Sequence, residues 1–269
     1  MIKYVTSFIL MLLLFSTSFS QILRQEDFIE IEPPAPGTTE WYPLNQSDRV
    51  IKVTIKKGAL QLEQTKAMNG DTEYQLPGGL LLSRNGGEFG GGLFYKPFDK
   101  RIKRIFVNSE WKDEQVTPTL QFYSAPVKEG YSKPEYFRLP GGNINSFFKF
   151  NDTVFFTAGL AHLSSNDGAL LKLAISGKDT FTISKVLDLE GAPMTETVVK
   201  DTIIFVTHDG LLVVRDLQKI ARLKKQFWTS LAPQSVAYLN SHNLYIGMRG
   251  CYAKVDLVTS SVRCFKLKR

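Results

Sequence analysis

The sequence predicts an all-β protein built from repeated hairpins. Residues 201–216 contain two short apolar runs separated by Asp209 and Gly210. Runs of this length that are rich in Ile, Val and Phe and are divided by Asp-Gly are typical of a β-hairpin. The same arrangement recurs at residues 152–159 and 242–250. This recurrence, in a chain with almost no helical periodicity, indicates a series of similar antiparallel sheets.

Prolines punctuate the body of the chain, residues 49–269, and divide it into five units; they are Pro77, Pro140, Pro193 and Pro233. Strand-only units of roughly 35–60 residues are what a β-propeller blade requires. We therefore predict a single β-propeller with five blades. Six blades are the alternative, because the second unit is the longest and has room for extra strands.

Strands are predicted from apolar runs and from alternation along the chain. A first hairpin joins residues 50–56 and 59–64. In the last three units the first strands are 144–150, 195–199 and 235–239, the second 154–157, 203–206 and 244–247, the third 169–175, 211–215 and 251–257, and the fourth 183–189, 226–231 and 262–267. The second strands are apolar on both faces, as expected of strands buried between neighbouring sheets. A turn or two of helix is possible only at residues 216–225.

The first 48 residues differ from the body. Residues 1–20 combine Lys3, an apolar stretch and small residues, which predicts a secretory signal peptide; an uncleaved anchor is the alternative. No later stretch is apolar for long enough to span a membrane as a helix. Residues 21–48 are interpreted as an extended N-terminal arm that packs through Trp41 and Tyr42. The protein is therefore expected to be secreted or periplasmic.

The two cysteines, Cys251 and Cys264, fall in the last predicted hairpin. If its loop is centred near Val258, the two residues lie opposite each other at about disulfide distance. An oxidising compartment would then favour a disulfide bond. A metal or redox pair is less consistent with this spacing, which is not C-x-x-C.

Positive charge is concentrated in clusters, and the whole chain carries a formal charge of +7. One cluster is Lys96, Lys100, Arg101, Lys103 and Arg104, interleaved with aromatic residues; a second lies at residues 215–225. They indicate either a lysine-rich outer edge that opposes sheet-to-sheet pairing or a binding surface. For an exported protein the expected partner is another protein or an anionic envelope component, not nucleic acid. A monomer is expected.

Near its end the chain resembles a known family of repeats. Residues 255–259, Val-Asp-Leu-Val-Thr, followed by Val262, are similar to the turn between third and fourth strands in bacterial β-propellers of the YVTN and quinoprotein-like group. The resemblance covers about residues 143–269 and implies a propeller fold and a bacterial periplasmic location. It departs at Ser260, where those blades usually have Gly. Because no tryptophan docking motif of the quinoprotein enzymes is found, no quinone or other cofactor is expected.

The polar residues of the loops give two functional hypotheses. His162 and His208 follow second strands and, with Asp209 or Asp167, could line a shared mouth or bind a metal, although their spacing fits no metal motif. Arg249 is placed with them as a binding residue. We expect an exported recognition protein, in one version an immunity or inhibitor protein, with no catalytic set. The alternative is a glycan or ester hydrolase that uses channel acids, of which Glu196 is the clearest and Glu88 and Asp152 lie in loops.

Overall fold

The computed structural model describes residues 21–66, 71–87, 90–111, 122–124, 126–127, 136–163 and 165–268. The chain is all-β, as predicted, with a single 3-10 turn at Gln25–Asp27 and one short helix, α1 (Tyr42–Asn45), among these residues. The strands of the first half are β1 (Gln21–Leu23), β2 (Phe28–Ile31), β3 (Arg49–Lys56), β4 (Ala59–Lys66), β5 (Thr72–Leu76), β6 (Gly79–Asn85), β7 (Gly91–Pro97), β8 (Ile105–Ser109), β9 (Phe122–Ser124), β10 (Pro126–Val127) and β11 (Tyr136–Leu139). Those of the second half are β12 (Ile144–Phe150), β13 (Thr153–His162), β14 (Ser165–Ser176), β15 (Thr180–Asp188), β16 (Pro193–Val199), β17 (Thr202–Thr207), β18 (Gly210–Arg215), β19 (Gln218–Leu223), β20 (Ser235–Asn240), β21 (Asn243–Met248), β22 (Cys251–Asp256) and β23 (Ser261–Leu267).

The described strands form five sheets that follow one another along the chain. Sheet I has the order β1-β4-β3, sheet II β10-β11-β7-β6-β5, sheet III β12-β13-β14-β15-β8-β9, sheet IV β16-β17-β18-β19, and sheet V β2-β23-β22-β21-β20. All described pairs are antiparallel except β15 with β8. The first strands of successive sheets lie side by side, β5 with β12, β12 with β16, β16 with β20, and β20 with β3.

Apolar side chains fill the spaces between sheets II and III, III and IV, IV and V, and V and I, which explains why the second strands of the later sheets are apolar on both faces. In β17, Ile203 and Phe205 join the cluster shared with sheet III, whereas Ile204 and Val206 join the cluster shared with sheet V. Two further clusters lie between sheets II and III and between sheets V and I. Each sheet is thus stabilised by burial against its neighbours, because one face alone cannot remove these side chains from water.

The predicted fourth strand at residues 226–231 is wrong, and so is the helical turn considered at 216–225. A two-residue turn at Asp216 and Leu217, both with positive φ, leads from β18 directly into β19, as type I′ hairpin turns do. The apolar residues that suggested a strand, Phe227, Trp228 and Leu231, instead belong to a loop whose side chains enter the core between sheets IV and V. Their hydrophobicity reflects burial and not strand pairing.

The proline division is correct for the later sheets and wrong for the second. Pro140, Pro193 and Pro233 lie within four residues before, or at, the first residue of β12, β16 and β20. Pro77, however, lies between β5 and β6 inside sheet II. The extra strands suspected in the longest unit are present, but β8 and β9 extend sheet III while β10 and β11 extend sheet II.

The N-terminal arm is partly strand. β1 pairs with β4 in sheet I, and β2 pairs with the final strand β23 in sheet V, so the arm joins the first sheet to the last. Trp41 is buried as predicted, whereas Tyr42 is half exposed. The predicted signal peptide, residues 1–20, lies outside the described residues. Within them, no helix has the length and hydropathy needed to cross a bilayer.

The predicted register of the cysteine hairpin is wrong by two residues. Cys251 faces Lys266 and Cys264 faces Ala253, because the β22–β23 turn starts after Asp256. The two cysteines are therefore diagonal neighbours and both are buried free thiols, so the predicted disulfide bond between them is not formed. A hydrogen bond with Cys264, together with burial, raises the pKa of the Cys251 thiol well above its usual value, which keeps the thiol protonated.

Candidate binding site

A cavity of about 560 Å³ opens between the ends of sheets II and III. Three connections form it: the β5–β6 turn, the loop of residues 98–104 after β7, and the β14–β15 turn. Its apolar lining is Leu76, Pro77, Tyr95, Phe98, Ile102 and Ile175. A cleft of this size lined mainly by apolar groups has the dimensions of a ligand site, and we call it the apolar cavity.

Backbone hydrogen bonds hold the 98–104 loop at both ends. The Phe98 amide donates to the Gly78 carbonyl (3.0 Å) at the sheet II turn, and the Phe106 amide donates to the Asp179 carbonyl (2.8 Å) at the sheet III turn. The loop crosses between sheets because β7 belongs to sheet II and β8 is added to sheet III. The cavity wall is therefore fixed to both sheets before any ligand arrives.

Tyr95 forms the floor of the apolar cavity. Its hydroxyl donates to the Gly78 carbonyl at 2.9 Å, and its ring centroid lies 4.6 Å from that of Phe181 in sheet III. Burial raises the pKa of Tyr95 above its usual value. Residue 79 must be glycine here, since a Cβ would lie 2.4 Å from both the Lys96 carbonyl oxygen and the Tyr95 ring.

The entrance of the cavity is partly apolar and partly cationic. Phe98 is 55% exposed and Ile175 is 40% exposed, so two large apolar side chains at the opening face water. Exposed cations occupy the same loop and turn; we call them the basic rim, and they are Lys100, Arg101, Lys103 and Lys178. Aromatic and aliphatic groups beside cations suit a partner that is both apolar and anionic.

One carboxylate, Asp99, lines the cavity and is neutralised locally. Arg101 donates to it through Nη2 (2.8 Å) and Nε (2.9 Å). This pairing, with a smaller contribution from Lys178 on the facing turn, lowers the pKa of Asp99 far below its usual value. Asp99 stays ionised at any physiological pH, but its negative charge is balanced by the guanidinium group of Arg101.

The structure separates the predicted binding residues into two groups. Arg101 lies in the loop that forms the apolar cavity and pairs with Asp99 of its lining. Arg104 stacks over Phe106 (5.6 Å) at the end of the loop, and Lys96 lies over Tyr136 (5.4 Å) in sheet II. His162, His208, Asp209 and Arg249 lie instead in hairpins that join second and third strands. Those hairpins are at the opposite end of their sheets from the first-to-second and third-to-fourth turns that form the cavity.

Contacts between sheets III and IV bring the histidine hairpins to the same end. The Ala192 amide donates to Asn166 Oδ1 (2.8 Å), and the His208 amide donates to the Ala192 carbonyl (2.8 Å). Burial lowers the pKa of His208, and Asp209 partly offsets this effect. Among the residues that the structure describes, no three His, Cys, Asp or Glu side chains are positioned to hold a metal ion.

Arg249 and Asp209 have mainly structural surroundings. Arg249 Nη1 donates to the Asn45 carbonyl at 3.2 Å and so ties helix α1 to the β21–β22 hairpin. The Asp209 carbonyl accepts from the Gln226 amide at 2.9 Å, which positions the loop after β19. Of the other acids considered, Asp152 pairs with Lys149 at 2.8 Å, Asp167 lies in β14, and Glu88 is outside the described residues.

Glu196 lies in a second polar site, between the first strands of sheets III and IV. Ser146 of β12 donates to Glu196 of β16, and the Ser146 and Thr157 hydroxyls are hydrogen-bonded to each other at 2.8 Å. Burial raises the pKa of Glu196 to about 7, and the Ser146 hydrogen bond partly opposes this shift. We call these three residues the inner node. A β-bulge precedes Ser146 in β12, and another precedes Thr195 in β16, where bulges redirect side chains.

Sequence reasoning missed Ile102, Ile175 and Lys178 at the cavity and Ser146 and Thr157 at the inner node. The only local signal was the Ile-Ser-Gly-Lys-Asp stretch at residues 175–179, in which a large apolar residue stands beside a turn. Ser146 carried no signal, because a serine in an alternating strand is ordinarily a solvent-facing position.

Comparison with known proteins does not place the chain in a family. No protein-family model matches it, and no curated protein sequence matches it. Among solved structures, the tricorn protease is similar over 81% of this chain, with a TM-score of 0.36 and 10% identity. The chain spans only 26% of the length of that protein.

Proposed function

We propose that the five sheets are the blades of a five-bladed β-propeller that serves as an exported recognition protein. The propeller is supported by the succession of sheets along the chain, by the side-by-side first strands, and by the pairing of β2 with β23. That pairing completes the last sheet with a strand from the start of the chain. The similarity of residues 255–262 to YVTN-type blades agrees with this arrangement.

The single observation that carries the recognition function is the apolar cavity. It is held in place by hydrogen bonds to two sheets, yet its opening leaves Phe98 and Ile175 exposed to water. Exposed apolar groups around a preformed cleft mark interaction sites in soluble proteins. The partner is another protein or an envelope component, and an immunity or inhibitor role is one version.

Export is the second part of the proposal and rests on residues 1–20. Mass spectrometry of the protein purified from its native host should find a mature chain that begins at Gln21. A full-length chain retained in the cytoplasm would contradict export without affecting the cavity.

Photo-crosslinking tests the recognition function. A benzoylphenylalanine placed at position 98 should capture a discrete partner in cells, whereas the same group at Val258, which is 64% exposed in the β22–β23 turn, should not. The adduct at position 98 should disappear when Ile102 is also replaced by Arg. Equal labelling at both positions, or none at position 98, would refute the cavity as the binding site.

The second candidate function is a hydrolase, and only the inner node favours it. A carboxyl group with a pKa of about 7 can donate a proton near neutral pH. Glycosidase chemistry needs a second carboxylate, and no described hydrogen bond or ion pair brings one to Glu196. Loss of a measured hydrolytic activity in Glu196→Gln, with His162 and His208 variants as comparisons, would favour the enzyme over the recognition protein.

A further inference from the structure

We propose that the apolar cavity accepts one large apolar side chain from an acidic polypeptide segment, whose carboxylates contact the basic rim. The inference rests on the proposed recognition function and specifies the chemistry of the partner. It requires three properties of the site. There must be room for a side chain, several cations must lie along the loop beside the opening, and the carboxylate that lines the cavity must not repel an anionic partner.

The first property is the shape of the opening. Phe98 and Ile175 line the cavity from two different elements, one from the loop after β7 and the other from the end of β14. A large side chain inserted between them would cover both and reach Tyr95 on the floor. Aromatic side chains that enter such pockets are the usual anchors of protein interfaces.

The second property is the distribution of charge. Lys100, Arg101 and Lys103 follow one another along the exposed loop, and Lys178 lies on the facing turn. Cations spaced along a loop match several carboxylates of an extended segment better than a single anionic group, because one group can approach only one or two of them. The partner is therefore expected to be polyanionic along its chain.

The third property is the state of Asp99, the carboxylate within the lining. Its two oxygens accept hydrogen bonds from Arg101, so a cation of the same loop balances its negative charge. An acidic partner therefore meets Lys100 and Lys103 while the Asp99 charge is held by Arg101; another carboxylate nearby is Asp179, next to Lys178 on the facing turn.

The second basic cluster of the sequence lacks these properties. Lys219 and Arg222 on β19 contact the carboxylate of Glu190, and Arg222 Nη2 also donates to the Glu190 carbonyl at 2.6 Å. These cations stabilise the connection between sheets III and IV and border no described cavity. Two cations of the cluster at residues 215–225 are thus already paired, and it lacks the apolar opening that lies beside the basic rim.

A selection experiment with random peptides tests the chemistry directly. Dodecapeptides displayed on phage are selected on the mature protein and counter-selected on Phe98→Ala, which should fold because Phe98 is largely exposed. The expected consensus is one Trp, Phe or Leu flanked by Asp or Glu. Enriched sequences that are neutral or basic, or no enrichment at all, would overturn the proposal.

Affinity measurements on an enriched peptide provide the second arm. Lys100→Glu combined with Lys103→Glu should weaken binding at least about tenfold, as should replacing the peptide's anchor by Ala. The matched control, Lys52→Glu with Lys224→Glu, reverses two exposed charges elsewhere and should change the affinity less than about twofold. Equal losses in both double variants would show only an effect of net charge and would refute a specific rim.

Vesicles of phosphatidylglycerol and phosphatidylcholine separate a lipid partner from a polypeptide. The protein should not sediment with either at physiological salt, and binding that depends on phosphatidylglycerol and on Phe98 would contradict the polypeptide. If photo-crosslinking at position 98 captures a partner but the selected peptides lack acidic residues, the recognition function stands and the proposed acidic segment is wrong.

Discussion

The apolar cavity and the inner node both lie where two sheets meet, but they treat polar and apolar groups in opposite ways. At the cavity, between sheets II and III, large apolar side chains are left exposed and the polar groups at the rim are cations in water. At the inner node, between sheets III and IV, a mostly buried carboxyl group accepts a hydrogen bond from the Ser146 hydroxyl, which is also bonded to the Thr157 hydroxyl. The same kind of junction thus supports an open surface suited to a partner and a closed one suited to holding sheets together.

The difference implies that changes at the inner node alter stability, whereas changes at the rim alter binding. A substitution at a buried site whose hydrogen bonds are all formed lowers the free energy of unfolding substantially. Exposed charges contribute little to folding because water already solvates them. The four predictions below test this division, in order of decreasing effect on stability.

The largest effect is expected from the pH dependence of Glu196. Its pKa in the folded chain, about 7, lies above the ordinary value of 4.5, so between these values the folded state holds a proton that the unfolded state has released. Stability should therefore fall as pH rises through this interval, by up to about 3 kcal/mol in all. Urea unfolding from about pH 5 to about pH 8 measures this slope, and Glu196→Gln should flatten it and be more stable than the wild type at the alkaline end.

Glu190→Gln is the matched control for that slope. Lys219 and Arg222 lower the pKa of Glu190, so its contribution to stability is present above the unfolded pKa and is lost only in acid. The variant should keep the wild-type slope near neutral pH. A flattened slope in Glu190→Gln, or an unchanged one in Glu196→Gln, would contradict our account of the inner node.

Ser146→Ala should be the next most disruptive change. It removes the partner of the fully buried Thr157 hydroxyl and the donor to Glu196, and an unsatisfied buried group costs about 1–3 kcal/mol. The same variant should move the pH-dependent loss of stability to higher pH, because Glu196 loses the hydrogen bond that favours its charged form. Ser146→Thr keeps a hydroxyl and should recover part of the stability; a variant no less stable than the wild type would show that the hydroxyl is not needed.

Tyr95→Phe tests the cavity floor and should have a smaller effect. The hydroxyl donates to the Gly78 carbonyl, and the loss of one such hydrogen bond costs about 1 kcal/mol. Thermal unfolding compares it with Tyr42→Phe, which alters a half-exposed ring of the arm and should be nearly neutral. If Tyr95→Phe lost no more stability than Tyr42→Phe, the Tyr95 hydrogen bond would contribute nothing to holding the β5–β6 turn.

The smallest effect on stability is expected at the basic rim. Lys100→Glu with Lys103→Glu changes exposed side chains, so the free energy of unfolding should shift by less than about 0.5 kcal/mol. The same double variant is expected to lose binding, as described above. A large loss of stability measured by urea unfolding would mean that the rim is structural and would remove the contrast with the inner node.

Local sequence patterns were sufficient for most of the last three sheets. β12 has the predicted bounds, and β17 and β21 extend the predicted runs by one residue at each end, because apolar runs between polar turns are set by neighbouring residues. The strand predicted at residues 226–231 failed for a physical reason. These residues are apolar because Trp228 packs into the core, where its Nε1 donates to the Thr207 carbonyl (3.2 Å), and not because they pair as a strand. Periodicity reports that a side chain is buried, but not which element buries it.

The candidate sites were less predictable than the strands. The basic cluster at residues 96–104 was identified, but alternation along β7 places Lys96 and Tyr95 on opposite faces, and only a fold that brings Ile175 and Lys178 beside the loop creates a cavity there. The histidines were expected to line a mouth with Asp209 or Asp167, and the hairpin topology puts them at the other end of the sheets from that cluster. Glu196 was noted as an acid on a first strand, but its raised pKa comes from burial between two sheets, which the Ser146 hydrogen bond only partly opposes.

By itself, the sequence determined the secondary-structure class and the order of most hairpins, since alternation, apolar runs and turn residues act over a few neighbouring positions. Tertiary structure alone decided which sheet received the strands β8 to β11 and the junctions where a cavity or a carboxyl group of raised pKa appears. These features depend on contacts between residues far apart in the chain. Their energies are set by packing and burial in the folded protein, for which a single sequence carries no local signal.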